Sequence, residues 1–360
     1  MKVVTQSVWC ALCAGIAFAL PVFAAEQGGP VRELAPDYVV VGESPEPMHM
    51  PLYTPSIIRL DSGRLVAFYY QDSDDTATYG PTLGIFLTSD DGGVTWVERA
   101  RRTGAGQGRL FQAGGVVYFI STGAGLPAAK STDDGTTWSN IVKLTPNSLV
   151  WQQTAANVWY ARGNVYVAYE RRSEVIPAWG ASIKALVLLR AKETDDLTKP
   201  ESWSFSSELV FADVVPGVRE NEVDLDYFGV PFFPQAFPDR YLISTKPNRS
   251  MSPIGWVEPA VVQIMDPNHY WYDPTGRTFH LLARAHTGGT GYACLTKVVE
   301  NPDGTMTMSL EHAPSGVPML YVPNPVGQMR FHVLYDDVTK LYWLLGSQAT
   351  DSMTRAEVLP

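Results

Sequence analysis

The chain has 360 residues, of which 45% are hydrophobic and 18% are charged. This composition is typical of a folded globular protein and excludes a wholly disordered or collagen-like chain. The formal net charge is -10, so the chain lacks the basic footprint of a nucleic-acid-binding protein. A few local arginines could still bind an acidic ligand, because charge acts strongly over short distances.

The first predicted element is a secretory signal peptide at residues 1–24. Val8 to Leu20 forms an apolar run, and Lys2 is the only charge before Glu26. Val22-Phe23-Ala24 then supplies the small residues expected before a cleavage site. The run is shorter than the roughly 20 apolar residues that a spanning helix needs. We therefore expect a secreted or periplasmic protein without a membrane span.

Cysteine and histidine usage argues against a metal site. Cleavage of the signal would remove Cys10 and Cys13 and leave Cys294, which excludes an internal disulfide and a CxxC-type cluster. The 6 histidines show no HExxH or comparable spacing, and no glycine loop has the context of a phosphate-binding motif. We expect neither a metal nor another cofactor.

A repeated hairpin pattern follows along the chain. Each copy has a turn with Gly, Asp or Lys and then a short run of alternating or aromatic strand residues, as in GRLVAFYY. The copies begin at Gly63, Gly114, Arg162, Pro238, Gly276 and Thr339. A strand-like run precedes each copy, and turn residues such as Asp61-Ser62-Gly63 separate the two. Each repeat is therefore predicted to begin with a β-hairpin.

The fold class predicted from these repeats is all-β, a six-bladed β-propeller over residues 36–360. The apolar period is two, and repeats of this length are typical of propeller blades. A β-sandwich or jelly roll is the alternative. The charged segment Val215–Asp226 is expected to be a loop insertion. Too few residues follow Gln348 for two more strands, so we expect a chain cut short at its C-terminus, with a strand around Tyr38–Val41 closing the ring.

Two segments share the pattern S-x-D-x-G-x-T-W. They are Ser89 to Trp96 and Ser131 to Trp138, one in each of the first two repeats. In such a turn the aspartate accepts backbone hydrogen bonds, the glycine takes a positive φ, and the tryptophan packs onto the sheet. These segments resemble the Asp boxes (BNR repeats) of the sialidase, or neuraminidase, superfamily, and the resemblance covers Leu52 to about Gln348. In that family the box marks the fold and takes no part in catalysis.

The resemblance implies a secreted exo-glycosidase that removes a terminal, acidic sugar from glycans. In such an enzyme arginines clamp the sugar's carboxylate, and an aspartate in the loop after the first hairpin acts as acid and base. Residues at the starts of the inner strands and the ends of the second strands face the site, Glu170 among them. The candidate catalytic residues are Asp72, Asp74, Asp75, Glu258 and His286. The candidate substrate-binding residues are Tyr70, Trp151, Gln152, Arg172, His269, Trp271, Arg284, Gln328 and Arg330.

Two positions depart from the family pattern. Tyr53-Thr54-Pro55 replaces the Arg-Ile-Pro opening, and Gln328-Met329-Arg330 stands where the nucleophilic tyrosine is expected. Two other functions therefore stay open. One is a polysaccharide lyase, in which arginine neutralises a uronate and His286 or a tyrosine abstracts the C5 proton. The other is a propeller that binds glycans without cleaving them. The partner in each case is a glycan, and no feature of the sequence indicates an oligomeric state.

Overall fold

The computed structural model describes residues 37–152, 156–174, 181–215, 255–286, 292–325 and 330–346, with only the backbone of His286. The chain divides into two units, residues 1–40 and residues 41–360. In the first unit the described residues 37–40 are exposed and have no regular secondary structure, and Val41 also lies outside any strand. The strand predicted around Tyr38–Val41 is therefore wrong. The predicted signal peptide lies outside the described residues, as does the predicted hairpin at Pro238.

The second unit is built of consecutive antiparallel sheets. The first sheet has the strand order β1 (Leu52–Arg59), β2 (Leu65–Gln71), β3 (Leu83–Ser89) and β4 (Val97–Arg102). The second has the order β5 (Gly108–Ala113), β6 (Val116–Ser121), β8 (Pro127–Ser131) and β9 (Val142–Lys143). In the first sheet every strand pairs with its neighbour in sequence, whereas in the second the short strand β7 (Gly123–Ala124) lies between β6 and β8 in the chain and belongs to another sheet.

The third sheet is larger than the first two, which have four strands each. It contains β7 (Gly123–Ala124), β10 (Val150–Gln152), β11 (Trp159–Ala161), β12 (Asn164–Arg172), β13 (Lys184–Lys192), β14 (Trp203–Phe205) and β15 (Leu209–Val210). The strand on one side of β12 is interrupted, because β10 and β11 pair with the two ends of β12. The short strand β7 follows β6 of the second sheet in the chain, but it pairs with β10 at the edge of the third sheet. It therefore links the two sheets.

The C-terminal half repeats the arrangement. The fourth sheet contains β16 (Gly255–Val262), β17 (Thr278–His286), β18 (Tyr292–Glu300), β19 (Met306–Ser309) and β22 (Tyr321–Pro323). Two-stranded ribbons are formed by β20 (Glu311–His312) with β21 (Pro318–Met319), and by β23 (Phe331–Asp336) with β24 (Leu341–Gly346). The helices of the described residues are α1 (Thr76–Tyr79), a 3-10 turn (Pro200–Ser202) and α2 (Phe211–Val214).

Hairpins occur at five of the predicted repeats. The pairs are β1–β2, β5–β6, β11–β12, β16–β17 and β23–β24. All-β architecture is therefore confirmed. The number of blades and the closure of the ring stay predictions, because the segment of the fourth hairpin is not described.

Both Asp-box segments form the same turn, between the third and fourth strands of their sheets. Asp91 accepts hydrogen bonds from the Thr95 backbone amide at 2.9 Å and from its hydroxyl at 2.6 Å. Asp133 accepts from Thr137 at 2.8 and 2.7 Å. The indole N–H of each box tryptophan donates to a glycine carbonyl of its own turn, at 3.0 and 3.1 Å. The two segments are thus structural equivalents.

The third sheet lies between two apolar cores, which explains its continuously hydrophobic strands. On β12, Val165, Val167 and Tyr169 pack into the core shared with the second sheet. Tyr166 and Ala168 point the other way, into the core shared with the fourth sheet and β23. Side chains alternate along a strand, so a strand buried on both faces needs no polar alternation.

Candidate functional site

A polar cluster lies where the third and fourth sheets meet, at the end of β12. Glu170 and Arg172 continue the face of β12 that carries Ala168, because they follow it at intervals of two residues. Gln152 of β10 lies directly opposite Glu170, and Lys184 of β13 lies directly opposite Arg172. These four polar side chains therefore occupy one face of the third sheet, beyond the end of its apolar core.

Glu258 reaches this face from the fourth sheet through a bulge in β16. The pairing of β16 with β17 shifts between Val257 and Ala260, and Glu258 takes a φ of 58°. A positive φ is uncommon outside glycine and marks local backbone strain. The bulge turns the Glu258 amide toward the third sheet, where it donates a 2.5 Å hydrogen bond to Glu170 Oε2.

The same bulge occurs in the first sheet with a different side chain. The pairing of β1 with β2 shifts between Tyr53 and Ser56, and Thr54 has a φ of 46°. Both Thr54 and Glu258 precede a proline. The geometry thus recurs in the first strands of two sheets, whereas the acidic side chain belongs to the fourth sheet.

Two guanidinium groups hold the Glu258 carboxylate. Arg330 Nε lies 3.0 Å from Oε1, and an Arg284 terminal nitrogen lies 3.4 Å from Oε2. The side chains are 11% exposed for Glu258, 26% for Arg284 and 47% for Arg330, so the group opens to solvent on the arginine side. Charge-assisted bonds of this kind fix a carboxylate in position.

Glu170, unlike Glu258, has a buried carboxyl group that no arginine holds in an ion pair among the described residues. It is 4% exposed, and burial is the largest influence on its carboxyl. Lys184 favours the charged form, whereas the neighbouring Glu258 disfavours it, and the balance raises the pKa of Glu170 to about 8. Glu170 therefore holds a proton at neutral pH, next to a carboxylate paired with arginines.

Two buried polar atoms of the cluster lack hydrogen-bond partners among the residues that the structure describes. They are Lys184 Nζ and Gln152 Oε1. Lys184 is 1% exposed, and burial lowers the pKa of its ammonium group against the opposing attraction of Glu170. Trp256 of β16 packs on this strand and donates its indole N–H to the Lys184 carbonyl at 2.8 Å.

The predicted acidic loop of the first sheet is bonded mainly within itself. Asp72 accepts from the Tyr70 hydroxyl at 3.3 Å and from the Ser73 amide at 3.0 Å. Asp74 pairs with His49 at 3.1 Å, and Asp75 caps the N-terminus of α1. Hydrogen bonds within this cap lower the pKa of Asp75. Within the described residues, none of these aspartates bonds to the Glu170–Glu258 cluster, and their catalytic role stays a prediction.

The structure distributes the remaining predicted residues over different environments. Trp151 is 2% exposed and packs edge-on against Tyr169, so it is a core side chain. His269 and Trp271 contact each other at 5.3 Å in the β16–β17 connection, at the end of that hairpin opposite Glu258. Gln328 and the side chain of His286 lie outside the described residues.

Glu170 was predicted to lie near the site without a role, and Lys184 was not among the predicted residues. Both interrupt apolar strands: Glu170 follows Val165–Tyr169, and Lys184 precedes Ala185–Leu189. Their signal is a charged residue on each of two paired, buried strands, at the end where the chain connects them. Burying charged side chains costs free energy, so charged residues at such positions often mark a functional site.

Among the described residues, no cluster of three or more His, Cys, Asp or Glu could hold a metal ion. No helix in the same ranges has the length and apolar character needed to cross a membrane.

No protein-family model matches the chain, and no curated protein matches it. Solved structures give distant similarities. An alpha-L-arabinanase from Penicillium chrysogenum is 13% identical, with a TM-score of 0.42, covering 82% of this chain and 75% of that one. A protein of unknown function from Dyadobacter fermentans is 13% identical, with a TM-score of 0.45, covering 81% and 73%. An ulvan lyase, a polysaccharide lyase, is 13% identical with a TM-score of 0.41, covering 79% and 61%. Similarities this distant identify neither a family nor an activity.

Proposed function

We propose that this chain is an exported glycoside hydrolase on a six-bladed propeller of sialidase type, with Glu170 and Glu258 as its two catalytic carboxyl groups. The observation that supports this proposal is the contrast between the environments of the two carboxyl groups. Glu170 is buried and holds a proton at neutral pH, with a pKa of about 8, whereas the Glu258 carboxylate is paired with Arg284 and Arg330. Carboxyl groups with such different environments take the acid and base roles of a reaction.

The roles follow from the environments. Glu170 donates its proton to the glycosidic oxygen as the bond to the anomeric carbon breaks. Glu258 either attacks that carbon directly or removes a proton from the water that attacks it. The arginines keep the Glu258 side chain in one orientation during either step.

We also propose that the released sugar is terminal and acidic. Three arginines and Lys184 surround this end of the sheets, against the Glu258 carboxylate and a Glu170 that holds a proton. Arg172 lies at the end of β12 beside Lys184 and is partly exposed. Such an excess of positive charge favours an anionic substrate.

The test is a panel of sialosides, uronate polymers and neutral arabino- and xylo-oligosaccharides, incubated with the mature protein. Reducing sugar and ultraviolet absorbance are followed together. We expect sugar release without absorbance, reduced about 10²- to 10⁴-fold in Glu170→Gln and Glu258→Gln. The exposed Glu201→Gln variant is the control and keeps full activity.

Other outcomes overturn parts of the proposal. An unsaturated, absorbing product would identify a lyase, and a folded protein that releases nothing would identify a binding protein. Release of neutral sugars alone would remove the acidic specificity. The anomeric configuration of the first product, read by NMR, decides whether Glu258 is the nucleophile or the base, since only a covalent intermediate retains it.

A further inference from the structure

Lys184 is the most unusual side chain of the cluster. It is 1% exposed, and its Nζ atom has no hydrogen-bond partner in the described part of the chain. Within the described residues no carboxylate lies within ion-pair distance of it. Burying an ammonium group costs free energy that hydrogen bonds or a close counter-charge normally offset. An apolar residue would pack there at no such cost, which points to a role for the charge.

The charge acts on Glu170 across one face of the third sheet. Lys184 pairs with Arg172, so it is the diagonal neighbour of Glu170 on the adjoining strand, within about 7–8 Å between backbone positions. Among the described residues, the other charged groups near Glu170 are Arg172 on the same face of β12, Glu258 of β16 and Arg284 of β17. Arg330 reaches Glu170 only through Glu258, to which it is bonded.

We infer that Lys184 is a positioning residue for the proposed acid: fixed behind Glu170, it controls the proton of that carboxyl by its charge and does not touch the substrate. The inference rests on the proposed function for its kinetic consequences. Its electrostatic basis rests on the buried, unpartnered ammonium group and on the sheet register alone.

The sign of the effect follows from the charges. A nearby positive charge favours a carboxylate over a carboxylic acid and therefore lowers the pKa of Glu170. Burial and the charge of Glu258 both act in the opposite direction. Without Lys184, Glu170 would keep its proton to higher pH, and the basic limb of the pH–rate profile would move upward.

The kinetic test compares Lys184→Met with Lys184→Arg. We expect the basic limb of kcat/KM to rise by about one pH unit or more in the methionine variant, which keeps the length of the side chain without its charge. The arginine variant keeps the charge and should stay near the parent. The control is Lys192→Met, an exposed lysine at the other end of β13, which should leave the profile unchanged. A folded Lys184→Met protein with an unmoved basic limb would overturn the inference.

A second measurement does not depend on turnover. In a difference infrared titration, the protonated-carboxyl band that disappears in Glu170→Gln is assigned to Glu170. The midpoint of that band should rise in Lys184→Met and stay in place in Lys192→Met. If the glycan panel shows no hydrolysis, the proposed function falls while this titration still decides the inference. An unchanged midpoint in a variant with native near-ultraviolet circular dichroism contradicts it.

Discussion

Gly255 sets how closely the fourth sheet approaches the third beside the Glu170–Glu258 cluster. It begins β16, three residues before Glu258, with a φ of 152°. A Cβ atom there would overlap the backbone of Ala181 and Ser182, which lead into the strand of Lys184. A backbone in that position cannot move aside without moving the strand that follows it.

Gly255→Ala is therefore expected to be strongly destabilising, by about 3 kcal/mol or more, since it combines an unfavourable φ with a backbone clash. The matched control is Gly276→Ala, which has a φ of 63° but open space around its missing Cβ. That control should cost about 1 kcal/mol. Urea denaturation measures the free energy of unfolding of both variants. Equal decreases in the two variants would show that the clash with Ala181 and Ser182 does not contribute.

The positions of the individual polar side chains in the candidate site were the hardest feature to predict from the sequence. The sequence marks Glu258, Arg284 and Arg330 as candidates, and the structure brings these three together. Glu170 and Lys184 lie in strands whose apolar pattern predicts core, and only the register of β12 against β13 places them on one face. The positive φ of Glu258 has no sequence signal beyond the following proline.

At the scale of elements, the two Asp-box turns are alike in their hydrogen bonds and differ in what their tryptophans cover. Trp138 is 7% exposed and packs on Phe86 of the first sheet at a ring distance of 4.3 Å. Trp96 makes the same indole bond within its own turn but stays partly exposed. The Asp-box turn can therefore form without its tryptophan being buried between two sheets.

Trp138→Ala should cost about 3–5 kcal/mol, because it opens a cavity between the first and second sheets. Trp96→Ala removes the same turn contacts from a partly exposed site and should cost about half as much or less. Thermal or urea unfolding of the pair checks this order. Equal losses would indicate that the turn hydrogen bond, and not burial, sets the contribution of the box.

Elements were predicted better than residues, for a physical reason. Hairpins are local, so the turn residues and the two-residue period are enough to locate them. The size of the third sheet was not predictable, since β7 and β15 are added by pairing with strands more distant in the sequence. Two- and three-residue strands carry too little pattern to be recognised in advance.

At the scale of the whole molecule, Asn157 ties three sheets together. It lies in the interruption between β10 and β11, and its side chain bonds both backbone groups of Val261 on β16, at 2.5 and 2.8 Å. Its own carbonyl accepts from Arg109 of β5 at 2.8 Å, and Arg109 also donates to the Ala168 carbonyl. Second, third and fourth sheets thus share one buried hydrogen-bond network.

Removing this amide should weaken the whole assembly. Asn157→Ala leaves the N–H and C=O groups of Val261, a residue with 0% exposure, without their partner, at a cost of about 2–4 kcal/mol. Asn140→Ala, at an exposed position, is the control and should change stability by less than about 0.5 kcal/mol. Because the network spans three sheets, tryptophan fluorescence and far-ultraviolet circular dichroism should report one coincident, earlier urea transition in Asn157→Ala. Separate transitions for the two signals would instead show that the sheets unfold independently and that Asn157 joins only two of them.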